Sequence, residues 1–331
     1  LVYMAVNPSS GSKASVKMPV KIGTTVAYYE AIIPLLVADT NGYFQREGLD
    51  VSIIGFPGGA EVRKALVAGE VDFGAQSAVH VGIARSAGVD MVVVMSLHEL
   101  NTIDICVRQG INSLSDLKGK VVGVTVEGSL SWAAAVGYLK KAGLEPGSDV
   151  KILSIGSDPA VIVTSLKEGR IDAFACWTNI QLILAKQGIG KPLLNIVTNP
   201  QVHEKVMGVQ RIMEVVIWTL KNDEKREKAL RLKNALKTAL DYINRESPET
   251  IAQTVLKSRY AKDLLGNVNQ EDLVEAIKLL KLGYSRDGSV SKSMWDHSSY
   301  VVLLQPAMPD KLKPVAFSDI VWSGVTDVRS D

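Results

Sequence analysis

The chain contains itself twice, at an offset of 100 residues. Gly123 answers Gly23, Thr125 answers Thr25, Leu166 answers Leu66 and Gly169 answers Gly69. Asp172 answers Asp72, Ala175 answers Ala75 and Gly188 answers Gly88. The clearest match sets Ala65-Leu-Val-Ala-Gly-Glu-Val-Asp-Phe-Gly-Ala75 against Ser165-Leu-Lys-Glu-Gly-Arg-Ile-Asp-Ala-Phe-Ala175. Solenoid units are only ~20 to 50 residues long, so this period is no solenoid. It is one α/β unit used twice, and it predicts two similar lobes facing each other across a cleft.

The elements follow the same duplication. In the first unit, strands are expected at 20–24, 51–55, 71–75 and 91–97. Helices are expected at about 30–40 and 60–68, with a third running to Ala87. Ile32, Leu35, Leu36 and Ala38 should form the buried face of the first helix, with Pro34 in its first turn or so. In the second unit, strands are expected at 120–125, 150–155 and 171–176, and helices at 130–142, 160–168 and 179–187. Strands alternating with helices at these lengths indicate βαβ units and largely parallel sheets. Right-handed crossovers then bring every βα loop to one sheet edge, where open α/β sheets bind ligands. Asp72 and Asp172 sit at the opposite edge and read as turn-capping structure.

After Val206 the pattern changes to a strand at 214–220 and a charged, helix-rich tail. Ser247-Pro248, Asn269 with Asp272, and Ser293 with Asp296 read as helix starts. The charged stretch from Lys221 to Lys233 is a solvated helix face.

A net charge of +2, from 37 basic and 35 acidic residues, leaves no nucleic-acid footprint. The longest apolar runs, Met91–Met95 and Val215–Trp218, are strand-sized and far from the ~20 residues of a membrane span. Cys106 and Cys176 both fall in the second unit. They are expected to be two small buried hydrophobes, since spacing alone cannot establish a bridge. No zinc spacing, P-loop, HExxH or GxSxG motif is present, and the four histidines are scattered. No metal, cofactor or catalytic constellation is therefore expected. The stretch Asn7–Ala14 is linker-like, and no intact signal peptide is visible. A processed chain and a cytoplasmic one with a ragged start would both look so.

Three further segments carry a family likeness: Gly42-Tyr-Phe-x-x-Glu-Gly-Leu-Asp-Val51, Ala68-Gly-Glu-Val-Asp-Phe-Gly74 and Leu114-x-Asp-Leu-Lys-Gly-Lys120. Gly128-Ser129, Ala142-Gly-Leu144, Gly169-Arg-Ile-Asp-Ala173 and Phe317-Ser-Asp-Ile320 continue it. With these, the chain resembles the substrate-binding proteins of ABC importers for aliphatic sulfonate, taurine and nitrate, grouped with the NMT1/THI5-like proteins. The resemblance covers about residues 20–322. It implies a type II periplasmic-binding-protein fold: α/β, two similar lobes with mostly parallel sheets, joined by two crossover segments. Residues 1–18 would be a linker or processed tail, 19–102 and 210–331 lobe 1, and 103–209 lobe 2.

The resemblance also implies a site. Its residues would be Thr25, Tyr28 and Tyr29; Gly58 and Gly59; Gln76 and Ser77; Gly128, Ser129 and Ser131; Trp177 and Thr178. The chemistry of the residues supports part of this. Gly58-Gly59 and Gly128-Ser129 open helices, and exposed amides at a helix start favour an anion. The alternative for each is ordinary capping. Tyr28, Tyr29 and Trp177 could form an aromatic wall, which points to a ligand larger than nitrate. Glu127 is compatible with a neighbouring anion only if its side chain turns away.

The leading expectation is a non-enzymatic, extracytoplasmic receptor, monomeric, that delivers a small organic anion to an ABC permease. The runner-up is an enzyme on the same fold, such as a pyrimidine-precursor or menaquinone-pathway enzyme. The pyrimidine-forming synthases carry a CCCFC run that this chain lacks. A LysR-type effector domain fits less well, since no helix-turn-helix module precedes residue 20.

Overall fold

The computed structural model describes residues 17–331. Most of the expected amino-terminal linker lies outside the described residues. The strands are β1 (Met18–Thr25), β2 (Leu49–Phe56), β3 (Phe73–Ser77), β4 (Met91–His98) and β5 (Asp104–Val107). They continue as β6 (Val121–Val124), β7 (Lys151–Ser154), β8 (Ala173–Cys176), β9 (Lys191–Pro192) and β10 (Val215–Leu220).

Two five-stranded sheets form, in the orders β2-β1-β3-β10-β4 and β7-β6-β8-β5-β9. The two orders are equivalent. β1 pairs parallel with β2 and β3, as β6 does with β7 and β8. The fourth place is filled in each sheet by the strand that follows a crossing. β10 runs antiparallel to β3 and β4, and β5 antiparallel to β8 and β9. The chain leaves the first sheet after His98, builds the second, and returns at Val215. This is the two-lobed architecture expected, with one antiparallel strand threaded into each parallel set.

The duplicated aspartates do one job twice. An Asp72 carboxylate oxygen accepts the amide of Lys21 on β1 at 2.8 Å. Asp172 accepts the amide of Val121 on β6 at 2.9 Å. Both pin a strand edge from the neighbouring loop and sit away from the cleft.

The structure corrects several expectations. The first helix, Tyr29–Thr40, is buried on every side from Tyr29 to Ala38, because the tail helix Arg226–Arg245 and the helix Pro248–Leu256 cover what would have been its solvent face. Pro34 is the sixth residue of that helix, so the carbonyl one turn back, at Glu30, loses its helical donor. The cap expected at Ser293 is Ser291, whose hydroxyl accepts from Met294. The caps at Ser247 and Asn269 stand as read.

The cysteines are not separate hydrophobes. Cys106 on β5 and Cys176 on β8 form a disulfide, with Cα atoms 5.8 Å apart. The reason is the antiparallel pairing of β5 with β8, which a separation of 70 residues in the sequence does not reveal.

Candidate functional site

The βα loops of both sheets meet, and the cleft between them is drawn together around a small cavity. From lobe 1 it is lined by Thr25 and Tyr28 after β1, Gly59 after β2 and Gln76 at the end of β3. From lobe 2 come Thr125, Ser129, Leu130 and Ser131 after β6, and Trp177 after β8. Ile103, in the first crossing, completes the lining. Among the described residues, no charged side chain lines it.

The lobes are fastened across this cavity by direct bonds. Ser129 Oγ accepts the amide of Ala60 at 3.0 Å. It thus caps the first turn of the opposing helix Gly59–Val67 and makes no cap bond to its own helix, Leu130–Lys141. Trp177 donates its indole N–H to the Ala27 carbonyl at 2.6 Å. Ala27 is held at φ +61°, a left-handed conformation rare outside glycine. Arg63 donates to the Gly128 carbonyl at 3.1 Å. On the outer side, Lys186 and Asp272 form an ion pair between lobes.

Several buried polar atoms around the cavity have no partner: Thr25 Oγ1, the Tyr28 hydroxyl, Gln76 Nε2 and His80 Nε2. The state of His80 follows from Arg63, which lies 2.7 Å from Nδ1. A guanidinium only donates, so Nδ1 accepts and the ring proton sits on Nε2. Burial, with Arg63 adding to it, pushes the His80 pKa well below the usual range, so the ring is neutral. A Cβ on Gly59 would lie 2.1 Å from His80 Nε2 and 2.8 Å from Gln76 Oε1. Only glycine lets these groups approach the helix start. The unpaired set is therefore donor-rich and sits beside two helix amino termini. That suits a group with several acceptor oxygens.

Of the other expected residues, Ser131 lines the cavity and the rest surround it. Ser77 donates to Glu214 at 3.2 Å. Gly58 starts the helix and approaches Val126 of the other lobe. Gly128 forms the left-handed turn before Ser129. Ser131 fixes the turn by bonding Thr125 at its amide and hydroxyl. The Thr178 amide lies 3.4 Å from Glu30 Oε1. Tyr29 turns away: its hydroxyl donates to Leu265 at 3.2 Å, and it lines an outer cavity with Asn179 and Lys186. The aromatic wall is thus Tyr28 and Trp177, edge to face with ring centroids 6.1 Å apart. Glu127 is exposed and faces a separate groove with Trp132 and Lys140.

Arg63, His80 and Thr125 were missed. Arg63 is half-buried between His80 of its own lobe and the Gly128 carbonyl of the other; burial lowers its pKa to about 10, still charged at neutral pH. Beneath the cavity lie two buried carboxyl groups. Glu214 is pushed up to about 8, mainly by burial and against the bonds from Ser299 and Ser77. Burial also raises Glu30. Among the described residues, no group of three or more His, Cys, Asp or Glu could hold a metal ion. No helix there is long and apolar enough to cross a membrane.

Comparison with known proteins agrees with this architecture. Residues 30–250 match the family model described as NMT1/THI5 like. The 4-amino-5-hydroxymethyl-2-methylpyrimidine phosphate synthase THI13 of Saccharomyces cerevisiae is 26% identical over 229 residues, 64% of this chain and 63% of the relative. The chain thus spans less than two thirds of that relative's length. A solved structure from Bordetella bronchiseptica superposes with a TM-score of 0.76 at 24% identity, covering 95% of each chain. The alkanesulfonate-binding protein SsuA of Xanthomonas axonopodis, solved with MOPS, gives 0.64 at 17% identity, covering 89% of this chain and 99% of that one. At these identities the structural likeness concerns the fold.

Proposed function

The chain belongs to the NMT1/THI5-like family, and from that premise we propose that it is the substrate-binding receptor of an ABC importer. It works outside the cytoplasm, closes its lobes on a small organic anion, and presents the closed complex to the permease. The observation that carries this is the cavity itself. Unpaired donors from Gln76 and Tyr28 of one lobe converge with the helix starts at Gly59 and Ser129 of opposite lobes. Helix-terminal amides and neutral donors bind an anion without a buried countercharge. Tyr28 and Trp177 offer apolar edges to its body. A sulfonate or aromatic carboxylate of modest size fits these terms, with the acidic head at Gly59 and Ser129.

The yeast relative keeps an enzymatic reading in play. That relative is named as a synthase. Against this reading, the CCCFC run is missing, and both cysteines are joined to each other in the second sheet.

One experiment separates the two. The purified protein is screened by native mass spectrometry against alkanesulfonates, aromatic carboxylates, nitrate and pyrimidine precursors, and each binder is then incubated and re-analysed. The receptor reading expects one bound, unchanged ligand per chain. Multiple turnovers to a new product would replace it with the enzyme reading.

A further inference from the structure

Glu30 is completely buried and stands where the two lobes and the crossing meet. It lies in the first turn of the helix Tyr29–Thr40 of lobe 1. Its Oε1 accepts the hydroxyl of Thr102, in the first crossing, at 2.7 Å. The amide of Thr178, at the start of lobe 2's helix Thr178–Lys186, lies 3.4 Å from the same oxygen. Oε2 has no hydrogen-bond partner among the described residues. Next to Thr178 in the chain, Trp177 is bonded across the cleft to Ala27.

Among the described residues no cation answers it. The titratable groups that face it are Tyr28 and Tyr29 on its own helix, Tyr284 from the tail and Glu214 at the head of β10. None of these is positive. From lobe 2 only neutral polar groups meet it: Thr178, and Gln181, which donates to the Thr102 carbonyl at 2.8 Å. A buried carboxylate without a cation is costly, and such a group takes up a proton instead. The lobe 2 contact exists only with the cleft shut. Opening the cleft would expose the group to water and let it ionise at ordinary pH.

We propose that Glu30 is a proton-dependent latch: closing the cleft seals its carboxyl group between the lobes, and the closed form takes up one proton there. The ligand-binding equilibrium is then linked to pH through a residue that lies under the site and touches no ligand. Glu30 is a positioning residue, tying lobe 1 to the crossing and to the helix that carries Trp177. The sign follows from linkage. Closure adds a proton, so raising the pH opposes closure, by up to ~tenfold in the equilibrium per pH unit between the open-form and closed-form pKa values. Glu214 is the internal control. It is buried too, but both its partners, Ser77 and Ser299, lie in lobe 1 or its tail. Closure changes its surroundings less.

This deepens the receptor reading by concerning how the same cleft closes, and the test keeps the two apart. The full chain is followed by small-angle X-ray scattering from about pH 5 to pH 9, as wild type, Glu30→Gln, Glu214→Gln and Thr102→Val. The wild type should expand as the pH rises. Glu30→Gln, which keeps an acceptor and adds a donor, should stay compact throughout. Glu214→Gln should follow the wild type. The Thr102 hydroxyl favours the ionised carboxyl, so Thr102→Val should move the transition to higher pH; this readout serves if Glu30→Gln does not fold. Ethanesulfonate and benzoate are then titrated calorimetrically across the same range, expecting wild-type affinity to fall with pH and Glu30→Gln affinity to stay flat. A wild-type radius independent of pH, or a Glu30→Gln response identical to the wild type, overturns the latch. An intact scattering response with neither probe bound at any pH leaves the latch standing and removes the anion class.

Discussion

Ser129 shows how a single side chain can be misread in two ways. Its position before a helix suggests a cap, and its place at the cleft suggests a ligand donor. The structure gives a third answer: its oxygen accepts from Ala60 across the cleft. Ser129→Ala should therefore weaken closure and lose a ligand donor together. We expect about ten- to a hundredfold lower affinity by calorimetry, or ~1.5–3 kcal/mol. The melting temperature without ligand should hardly move, because the helix Leu130–Lys141 never used this hydroxyl as its cap. A variant that melts earlier with unchanged affinity would make Ser129 a structural residue only. Glu214 makes a prediction of a different kind. Its pKa rises on folding from 4.5 to about 8, so the folded state holds a proton that the unfolded state has released in that window. Its stabilising contribution is full below about pH 4.5 and is lost as pH climbs to about 8. Stability should fall by roughly 1 kcal/mol per pH unit across that interval. Urea melts of Glu214→Gln should show a shallower decline. Residues of this kind were not legible in the sequence. Glycine–serine pairs at helix starts announce themselves, but Glu30, Arg63 and His80 matter through what surrounds them. Spacing along one chain says nothing of the opposite lobe.

At the scale of elements the duplication was the readable signal, and it held in detail. Gly23 and Gly123 answer each other in the sequence for a packing reason. A Cβ on Gly23 would lie 2.7 Å from Val62, and one on Gly123 2.8 Å from Ile171. β1 and β6, the equivalent second strands of the two sheets, thus need a bare face where side chains cross them. Strand and helix limits moved by only a few residues, because alternating apolar pattern and glycine stops carry that information. What stayed hidden was β5. Its four residues, Asp104–Val107, follow the crossing and have no counterpart in the repeat; the counterpart is β10, more than 100 residues later. Its antiparallel seat beside β8 is also what brings Cys106 to Cys176. This bridge closes a long loop around the whole second-unit core. Breaking it, by reduction or by a Cys106→Ala/Cys176→Ala double change, should cost about 2–4 kcal/mol. Denaturant melts with and without reductant would measure it. Since both cysteines are fully buried, the native protein should resist mild reductants until it begins to unfold. Rapid reduction of the native state would place the bridge in a looser environment than the one seen.

The whole molecule joins two equivalent sheets, and neither alone owns the cavity. Tyr28 and Gly59 come from one, Ser129 and Trp177 from the other. A cavity assembled from two lobes has one occupant, and a fold with two copies of the same unit need not have two sites. The fastening bonds Ser129–Ala60, Trp177–Ala27 and Arg63–Gly128 all cross the same cleft. They are made or lost together as the lobes move. Ligand binding and lobe closure should then be one equilibrium, read by two instruments. Calorimetry with a binder found by screening should give one site per chain. Scattering on the same samples should show the radius of gyration shrinking in step with occupancy. Ligand at ~100 times its dissociation constant should add about 2.7 kcal/mol to unfolding stability. Trp177→Ala removes both the aromatic edge and the bond to Ala27. It should reduce affinity at least as much as Ser129→Ala and leave a more open ensemble even when ligand is saturating. Two equivalent sites per chain would break the argument at its root, since each lobe would then be binding alone. A single site with no change in radius would leave the cavity in place but deny that closure is what fills it.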